Sequence, residues 1–573
     1  MTTEKITPVS APPNALHLEQ PSYIKRVSPK PASELEQQSL AATDDVVTVK
    51  AWVVVFVLSA SYGISFWVIP SISTASATIA TQLGNPADAV WFTSVYTLAL
   101  TVAFLLCGAN SDLFGRRWFI LGGSAKSTKT VIAAMTIIGF GGGNCQLAAF
   151  ALPELLPNKW RHIGVALADG FTIGTIIIGP VGARYAIISG DGWRWLYYGP
   201  AIGAAISFGL LFMLYYPPKH PRGVPWRQAV RDLDYFGGLL FTVAVSLILT
   251  GIVYTSILPA SSPTVIGLLV SGFGALIIFA LWETFASLKQ PLTPPRVFAK
   301  NYGRDLTAPC VVGFVVTMFY YGANVVYPTM ISVFFTTATS DFRRAIYLSL
   351  PQGFGLLVGT ILLSYFGGRV GHWRWTLTGA VTLMTFWGAL LALGTPARKG
   401  LVIACFFLSN VAYGWAQFLS ITFIQFGTDQ VELGIAGGLA GVFRSAGGSL
   451  AVAVYSTILG NTQSASAAKL VPEAVTRAGL NPLDVPAVLK ALPLGSTALF
   501  KVPGMTAAIV EAAEVALQNS YVHGFKITEL SALAFGVVGI IASICCSDIG
   551  PKMTPKIEVF LENDVEAEKN KFH

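Results

Sequence analysis

The sequence predicts an all-α polytopic membrane protein, and three observations lead to this fold class. Apolar residues make up 53% of the 573 residues and charged residues only 12%, which leaves too little polar surface for a soluble globule of this size. Apolar segments of roughly 18 to 25 residues, the length that crosses a bilayer as a helix, recur along the chain. Lysine and arginine residues concentrate in alternate short loops between these segments, as on the cytoplasmic side of membrane proteins.

Composition also excludes several classes of site. The net charge of +8 does not indicate a nucleic-acid partner, because the basic residues form no block or stripe. The six cysteines lack C-x-x-C spacing, so we expect neither a disulfide framework nor a zinc site, and no cofactor. The six histidines are scattered and no nucleophile constellation is visible, which disfavours a membrane enzyme.

Residues 1–50 are rich in proline, serine, threonine and charge. Such a segment cannot bury enough apolar surface to offset the entropy of ordering, so it is predicted to be a disordered cytoplasmic tail. Because the first apolar segment begins so far along the chain, it is expected to be a retained span rather than a cleaved signal peptide.

Thirteen apolar segments follow this tail. They lie at residues 51–72, 87–107, 131–153, 163–183, 197–216, 236–258, 264–286, 306–334, 345–366, 376–394, 400–424, 433–460 and 530–548. A short apolar stretch at 118–123, cut off by polar residues, is a candidate for a further crossing. With that crossing, fourteen lysines and arginines occupy inner loops and eight occupy outer loops; without it the numbers are ten and twelve. The positive-inside rule therefore favours a fourteen-span plan in which span 3 is truncated.

This plan divides the chain into two helical halves, a linker and a second tail. The divisions are residues 51–216 (N-terminal half), 236–288 (two linker spans), 306–548 (C-terminal half) and 549–573 (cytoplasmic tail). Between the last two spans, residues 461–529 are interrupted by prolines and are predicted to be extracellular. Within them, Ala507 to Leu517 has the spacing of an amphipathic helix, either on the outer membrane surface or in a solvated linker.

A short charged loop separates the second span from the truncated third one. Its sequence from Gly108 to Arg117 is GANSDLFGRR, with apolar residues on both sides. Glycine permits a tight turn, and paired arginines mark the cytoplasmic side. The ten residues resemble the signature G-x-x-x-D-x-x-G-R-R of the major facilitator superfamily. That resemblance implies two six-helix halves that move around a central cavity.

The same resemblance implies a cytoplasmic gate. Its residues would be Gly108, Asp112, Gly115, Arg116, Arg117 and Glu154. Asp112 would lie at the inner end of the helix that begins at Leu433, where backbone amides carry partial positive charge. One of the two arginines would pair with Glu154 at the inner end of span 4. Alternatively, Glu154 caps a helix or meets solvent.

Three further runs narrow the resemblance. The runs are PELLPNKWR (153–161), WRW (193–195) and DYFGG (234–238). Together with the two linker spans, they are similar to the fourteen-span drug:proton antiporter branch, and within it to fungal trichothecene efflux pumps and siderophore transporters. This resemblance implies secondary active transport of a small molecule, driven by a proton gradient, by a monomer.

Span 5 contains a pattern that resembles the glycine-proline signature of antiporters. It consists of Gly170, Gly174, Gly179 and Pro180. Small residues allow helices to approach closely, and proline bends a helix. The match is incomplete, since the spacing is off by one and Ala183 stands where a glycine is usual. Exporters of this kind often carry an arginine where this chain has Met135.

Charged residues inside spans are costly and therefore functional candidates. Asp169 and Arg444 lie at similar depth in spans that should be counterparts in the two halves. We expect Asp169 to be the proton-responsive site and Arg444 to be a cavity or interhelix charge; local polar partners are the alternative. Four further candidates to line the substrate cavity are Tyr320, Tyr321, Trp415 and Gln417. Aromatic residues also serve as interface anchors, which is their alternative role.

The expected function is proton-coupled efflux of an amphipathic secondary metabolite or toxin across the plasma membrane, with a vacuolar or vesicle membrane as the alternative location. A siderophore-iron transporter is the second hypothesis. A non-transporting relic is the third, because span 3 is truncated.

Overall fold

The computed structural model describes the chain in segments. These are residues 47–83, 89–114, 128–147, 152–188, 190–216, 231–255, 258–259, 261–336, 342–429, 432–492, 499–558 and 560–561. Gly115, Arg116, Arg117 and the stretch 118–123 lie outside these segments. So do residues 1–46 and 562–573 of the two predicted tails.

The described segments are helical, with one isolated β-bridge between Leu233 and Gln290. The α-helices are α1 (Val49–Phe66), α2 (Val68–Gln82), α3 (Ala89–Phe114), α4 (Thr128–Gln146), α5 (Arg161–Ile188), α6 (Trp195–Leu214), α7 (Tyr235–Tyr254), α8 (Pro263–Phe285), α9 (Pro295–Ala299), α10 (Thr307–Met330), α11 (Phe342–Val370), α12 (Trp373–Ala389), α13 (Lys399–Phe426), α14 (Leu433–Arg477), α15 (Val485–Ala491) and α16 (Ala507–Cys545).

The predicted apolar segments coincide with the long helices. Within the described segments, eleven helices are long and apolar enough to cross a membrane. Two shorter apolar stretches, Trp91–Cys107 in α3 and Val131–Gly143 in α4, bring the number to the thirteen expected from the sequence. The predicted all-α polytopic membrane fold is confirmed.

The packing of α3 against α4 bears on the truncated third span. Gly139 lies against the backbone of Tyr96, and four residues further along α4, Gly143 lies against Leu100 and Ala103. The contacts advance in the same direction along both helices, so α3 and α4 are parallel. The two ends that residues 115–127 connect therefore lie at opposite faces of the membrane, which is the arrangement that a fourteen-span plan requires.

The linker helices α7 and α8 pack against each other and α7 lies beside α3. Asp234 caps α7 by accepting a hydrogen bond from the N–H of Gly237 at 2.9 Å. The indole N–H of Trp282 in α8 donates to the same carboxylate at 3.2 Å. Gly238 faces Leu106 of α3, which allows close approach of the linker to the N-terminal half.

The outer segment differs from the prediction. The sequence suggested an amphipathic helix over 507–517. These residues are helical, but they form the first turns of the continuous 39-residue helix α16. Likewise α14 is 45 residues long, or about 68 Å, roughly twice the hydrocarbon thickness. Both helices extend beyond the predicted spans because their extensions have their own apolar core. It is formed by Ala467, Val471, Val475, Leu480, Val488, Leu492, Leu499, Ile509, Val510, Ala513 and Ala516.

Candidate functional site

A small chamber lies between the two halves, near the middle of the spans. Helix α5 contributes four residues with helical spacing, Asp169, Thr172, Ile173 and Ile176, which therefore share one face. Helices of the C-terminal half supply the opposite wall. Its main side chains are Tyr320, Tyr321, Tyr413, Gln417, Arg444 and Ser445. The chamber is thus assembled from both halves of the chain.

Opposite charges face each other in this chamber. Asp169 is only 7% exposed, and its carboxylate interacts electrostatically with Arg444 and with the Tyr62 hydroxyl of α1. Tyr62 interacts with both charged groups. Burying a carboxylate and a guanidinium within a membrane span is costly unless each compensates the other. A proton on Asp169 would remove that compensation and leave Arg444 as the net charge of the chamber.

Several polar atoms around these charges lack partners. Within the described part of the chain, the buried atoms without a hydrogen bond include Gln146 Nε2, Thr172 Oγ1, Thr317 Oγ1, Gln417 Oε1 and Arg444 Nε. Buried polar atoms in proteins are normally hydrogen bonded. These donors and acceptors can therefore bind a polar ligand or water that enters the chamber.

Aromatic rings form a second surface of the chamber. The rings of Tyr320 and Tyr413 are stacked, with centroids 5.6 Å apart. Tyr321 meets Tyr320 edge-on at 5.5 Å, and Phe66 of α1 lies 6.5 Å from the same ring. The chamber thus combines flat apolar faces with convergent polar atoms, which suits a molecule that has both characters.

A larger cavity of about 810 Å³ lies above the chamber and shares Ile176, Tyr320 and Tyr321 with it. Its other lining residues belong to the outer parts of α2, α3, α5, α7, α10, α11 and α14 and to the segment that follows α10, the π-helical turn Ile331–Phe335 and Thr336. Pockets for drug-sized ligands are typically about 300 to 1,000 Å³. Arg184 and Gln352 add polar groups to its wall, and the Gln352 Nε2 atom has no partner among the residues that the structure describes.

The inner ends of the two halves are closed against each other. The Phe104 ring of α3 fills the space above Gly441 of α14. At the start of α5, the guanidinium of Arg161 lies 4.5 Å from the centre of the Phe426 ring. With its inner side closed and its lining residues at the outer ends of helices, the cavity faces outward.

The segment after α16, residues 546–558, runs across this inner closure, and we call it the C-terminal strap. The N–H groups of Asn158 and Lys159 donate to the carbonyls of Lys556 and Thr554 at 2.9 and 2.7 Å. On the C-terminal half, Lys552 Nζ donates to the Phe426 carbonyl at 2.6 Å. The strap therefore connects both halves across the inner closure.

Comparison with known proteins decides the family. The sequence model of the family described as "Fungal trichothecene efflux pump (TRI12)" matches residues 28–573. The chain belongs to this family. It is also 42% identical over 517 residues to the MFS-type transporter prx5 of Penicillium rubens, covering 90% of this chain and 94% of that protein.

Other relatives agree with this membership of the efflux-pump family. The trichothecene efflux pump TRI12 of Fusarium sporotrichioides is 26% identical over 526 residues, covering 88% of this chain and 87% of that protein. Among solved structures, the proton:xylose symporter XylE bound to 6-bromo-6-deoxy-D-glucose matches with a TM-score of 0.50 and 13% identity, covering 90% of this chain and 99% of that chain. This last likeness shows the major facilitator fold.

Most of the residues that the sequence predicted to line the substrate cavity of this protein lie in the chamber. Asp169, Arg444, Tyr320, Tyr321 and Gln417 all line the chamber. Trp415 does not line the chamber or the outer cavity; it is half-buried and packs beside the main core. The helical period explains this, because Trp415 is about 200° around α13 from Gln417. Gln417 was the one neutral polar side chain predicted; Gln146, Thr172, Thr317 and Ser445 also line the chamber and were missed, because sequence reasoning concentrated on charged and aromatic residues.

The antiporter-like pattern is only partly placed as expected. Gly179 packs closely against Pro70 and Ser71 of α2, and Pro180 lines the outer cavity. A Cβ atom at Gly170 or Gly174 would meet no atom within 4 Å among the described residues. The expected close approach of helices therefore occurs at Gly179 and not at these two positions.

The predicted gate loop also begins later than expected. Helix α3 continues to Phe114, so Gly108 lies within a helix and not in a turn. A glycine inside a helix costs roughly 1 kcal/mol, and the continued backbone hydrogen bonding of α3 offsets this cost. The structure does not describe the side chain of Asp112. Glu154 is 7% exposed, in the 3₁₀ turn Leu152–Leu155 beside the inner closure.

We expect Glu558→Gln to loosen the C-terminal strap of this family member. Partial burial raises the pKa of Glu558, but hydrogen bonds from Lys556 and Asn158 outweigh it, so the pKa lies below its ordinary value. Because the pKa of Glu558 is lower in the docked strap than in a free one, the ionised carboxylate stabilises the docked strap at pH values above the ordinary pKa. This stabilisation is lost as the pH falls through the lowered pKa. At neutral pH, hydrogen exchange of strap peptides should be about fivefold faster in E558Q.

The matched control for this experiment is Glu473→Gln. Glu473 forms an exposed ion pair with Arg477 at 2.7 Å, and such surface pairs contribute little. E473Q should leave strap exchange unchanged. In strongly acidic buffer, after correction for intrinsic exchange rates, the wild type should approach E558Q. Equal protection in both proteins at neutral pH would contradict the role given to Glu558.

Proposed function

We propose that this protein exports an amphipathic secondary metabolite or toxin across the plasma membrane in exchange for protons. The observation that carries the proposal is the facing pair of Asp169 and Arg444 at the floor of the outward-facing cavity. A membrane-embedded carboxylate beside a buried cation is a group whose charge changes when a proton binds. Membership of an efflux-pump family supports the outward direction.

Protonation of Asp169 would link the gradient to transport. In the outward-facing state the cavity connects the chamber to the outer aqueous phase, from which Asp169 takes a proton. The neutral acid no longer compensates Arg444, and this changes the relative stability of the two orientations. In the inward-facing state the proton leaves to the cytoplasm and substrate binds in the same chamber. Only a difference in proton affinity between the states can drive the cycle.

The chamber also defines the class of substrate. Stacked tyrosine rings offer flat apolar contact. Unpartnered amide, hydroxyl and guanidinium groups offer hydrogen bonds to oxygen-bearing substituents. We propose a compact, polycyclic or otherwise apolar molecule with several oxygen atoms, small enough for a cavity of about 810 Å³.

The proposal is tested by the accumulation of labelled compounds in cells that express the protein. We expect cells with the protein to retain about tenfold less of an exported compound than cells without it, and a protonophore that collapses the gradient should remove this difference. Efflux at the same rate with and without the proton gradient would rule out the proton coupling. Greater accumulation of a ferric siderophore in expressing cells would show import instead and overturn the direction.

A further inference from the structure

A second crevice lies within the C-terminal half, apart from the chamber. It has a volume of about 50 Å³, enough for a water molecule or two. Its walls come from α10, α12, α14 and α16. Apart from one acidic side chain, Glu529 of α16, its lining residues are apolar or uncharged.

Helix α10 separates this crevice from the substrate cavity. Val315, Phe319, Gly322 and Val326 line the crevice with spacings of four, three and four residues. Tyr321, Asn324, Val325 and Pro328 line the cavity with spacings of three, one and three. Each set occupies one face of the helix, and the two faces point in different directions. A change in the crevice can therefore shift a wall of the cavity.

The carboxylate of Glu529 has no partner among the residues that the structure describes. Its residue is only 9% exposed, and within the described part of the chain it makes no hydrogen bond and no ion pair. It lies sixteen residues, or about 24 Å, from the inner end of α16. An ionised carboxylate at such a place is strongly disfavoured, whereas a protonated one is tolerated.

Among the described residues around Glu529, none supplies a counter-charge. Tyr455 of α14 is the titratable residue that faces it. The crevice residues of α10 and α12 include no titratable side chain. On α16 itself, Lys526 and His523 lie nearer the outer end and are exposed. The hydroxyl groups of Thr385 and Thr528 already donate to carbonyl oxygens of their own helices.

We propose that Glu529 is a second proton-binding site of the transporter, distinct from Asp169. In the outward-facing state the carboxylate binds one proton and becomes a neutral acid. The ring of Tyr455 connects the site to the cavity wall, because it packs closely on Gly322 of α10. Rearrangement of α10 and α14 would admit water to the crevice and release the proton. This role in transport rests on the proposed proton-coupled export, but the protonation itself does not.

The test compares infrared spectra of the full-length protein in lipid nanodiscs at about pH 7, where exposed carboxylates are ionised. The spectra are taken from the wild type, Glu529→Gln, Glu529→Asp and Asp169→Asn. We expect a carbonyl band of a protonated carboxylic acid that disappears in E529Q, shifts in E529D and persists in D169N. Glu511→Gln, on the exposed outer part of the same helix, is the matched control and should leave the band unchanged.

Transport measurements complete the test. E529Q should reduce gradient-driven export about tenfold while exchange of labelled substrate without a gradient continues. A band that is identical in the wild type and E529Q would overturn the proposal. If E529Q removes the band but export by the wild type does not depend on the proton gradient, Glu529 is a proton-binding site and the proposed coupling is wrong.

Discussion

Replacement of Asp169 by asparagine is expected to lower gradient-driven export by about 100-fold. The amide has the shape of the protonated acid and cannot release a proton, so the proton-dependent change of orientation is blocked. The substrate surfaces of Tyr320 and Tyr413 remain in place. Exchange of labelled substrate across proteoliposomes without a proton gradient should therefore continue in D169N within about threefold of the wild-type rate.

The comparison of uphill export with exchange separates a coupling defect from a folding defect. A protein that fails to fold loses both activities. Asp484→Asn serves as a control, because Asp484 lies in the outer segment between α14 and α15 and far from the chamber in sequence. D484N should behave as the wild type. Uphill export by D169N at the wild-type rate would show that Asp169 is not the coupling site.

Replacement of Gly441 by leucine is expected to have the second large effect. A Cβ atom at this position would collide with the Phe104 ring close to its attachment to the chain. Rotation of the ring cannot relieve such a collision, so α3 and α14 must separate at their inner ends. Overpacking of this kind costs about 1 to 3 kcal/mol, which should shift the population away from the outward-facing state by about 5- to 150-fold.

This shift can be measured from outside the cell. Ser332 lines the outer cavity, and a cysteine at this position should react with a membrane-impermeant maleimide in the outward-facing state. The reaction should be at least about fivefold slower when G441L is added. Gly460→Ala on the same helix meets no atom within 4 Å and is the matched control. An unchanged reaction rate in G441L would contradict the assignment of this contact to the inner closure.

The fold was predictable from the sequence because membrane insertion imposes strong patterns. The lengths of the apolar segments predicted the eleven long and two shorter apolar helices of the described chain. The loop charges indicated a further crossing, with which the parallel packing of α3 and α4 agrees. The positions of Asp169 and Arg444 followed from the cost of charge within a span. The sequence indicated similar depths in counterpart spans, but that both side chains line one chamber is seen only in the structure.

Other features depend on tertiary contacts that one sequence does not reveal. The outer extensions of α14 and α16 form because residues distant in sequence, such as Val471 and Ile509, belong to one buried apolar cluster. The strap depends on backbone hydrogen bonds of Asn158 and Lys159, and backbone groups carry no sequence signal. Glu529 was missed because it lies just before the apolar segment predicted at 530–548, whereas the helix begins at Ala507.

The unusual length of α14 has a practical consequence. The helix is continuous from Gly441 at the inner contact to Val471 in the outer apolar core, a distance of about 45 Å. If it moves as a rigid rod, a tilt of about 10° at the inner contact displaces the outer tip by about 8 Å. A pair of fluorophores, one on this tip and one on the N-terminal half, would then follow each turnover by energy transfer without occupying the substrate path.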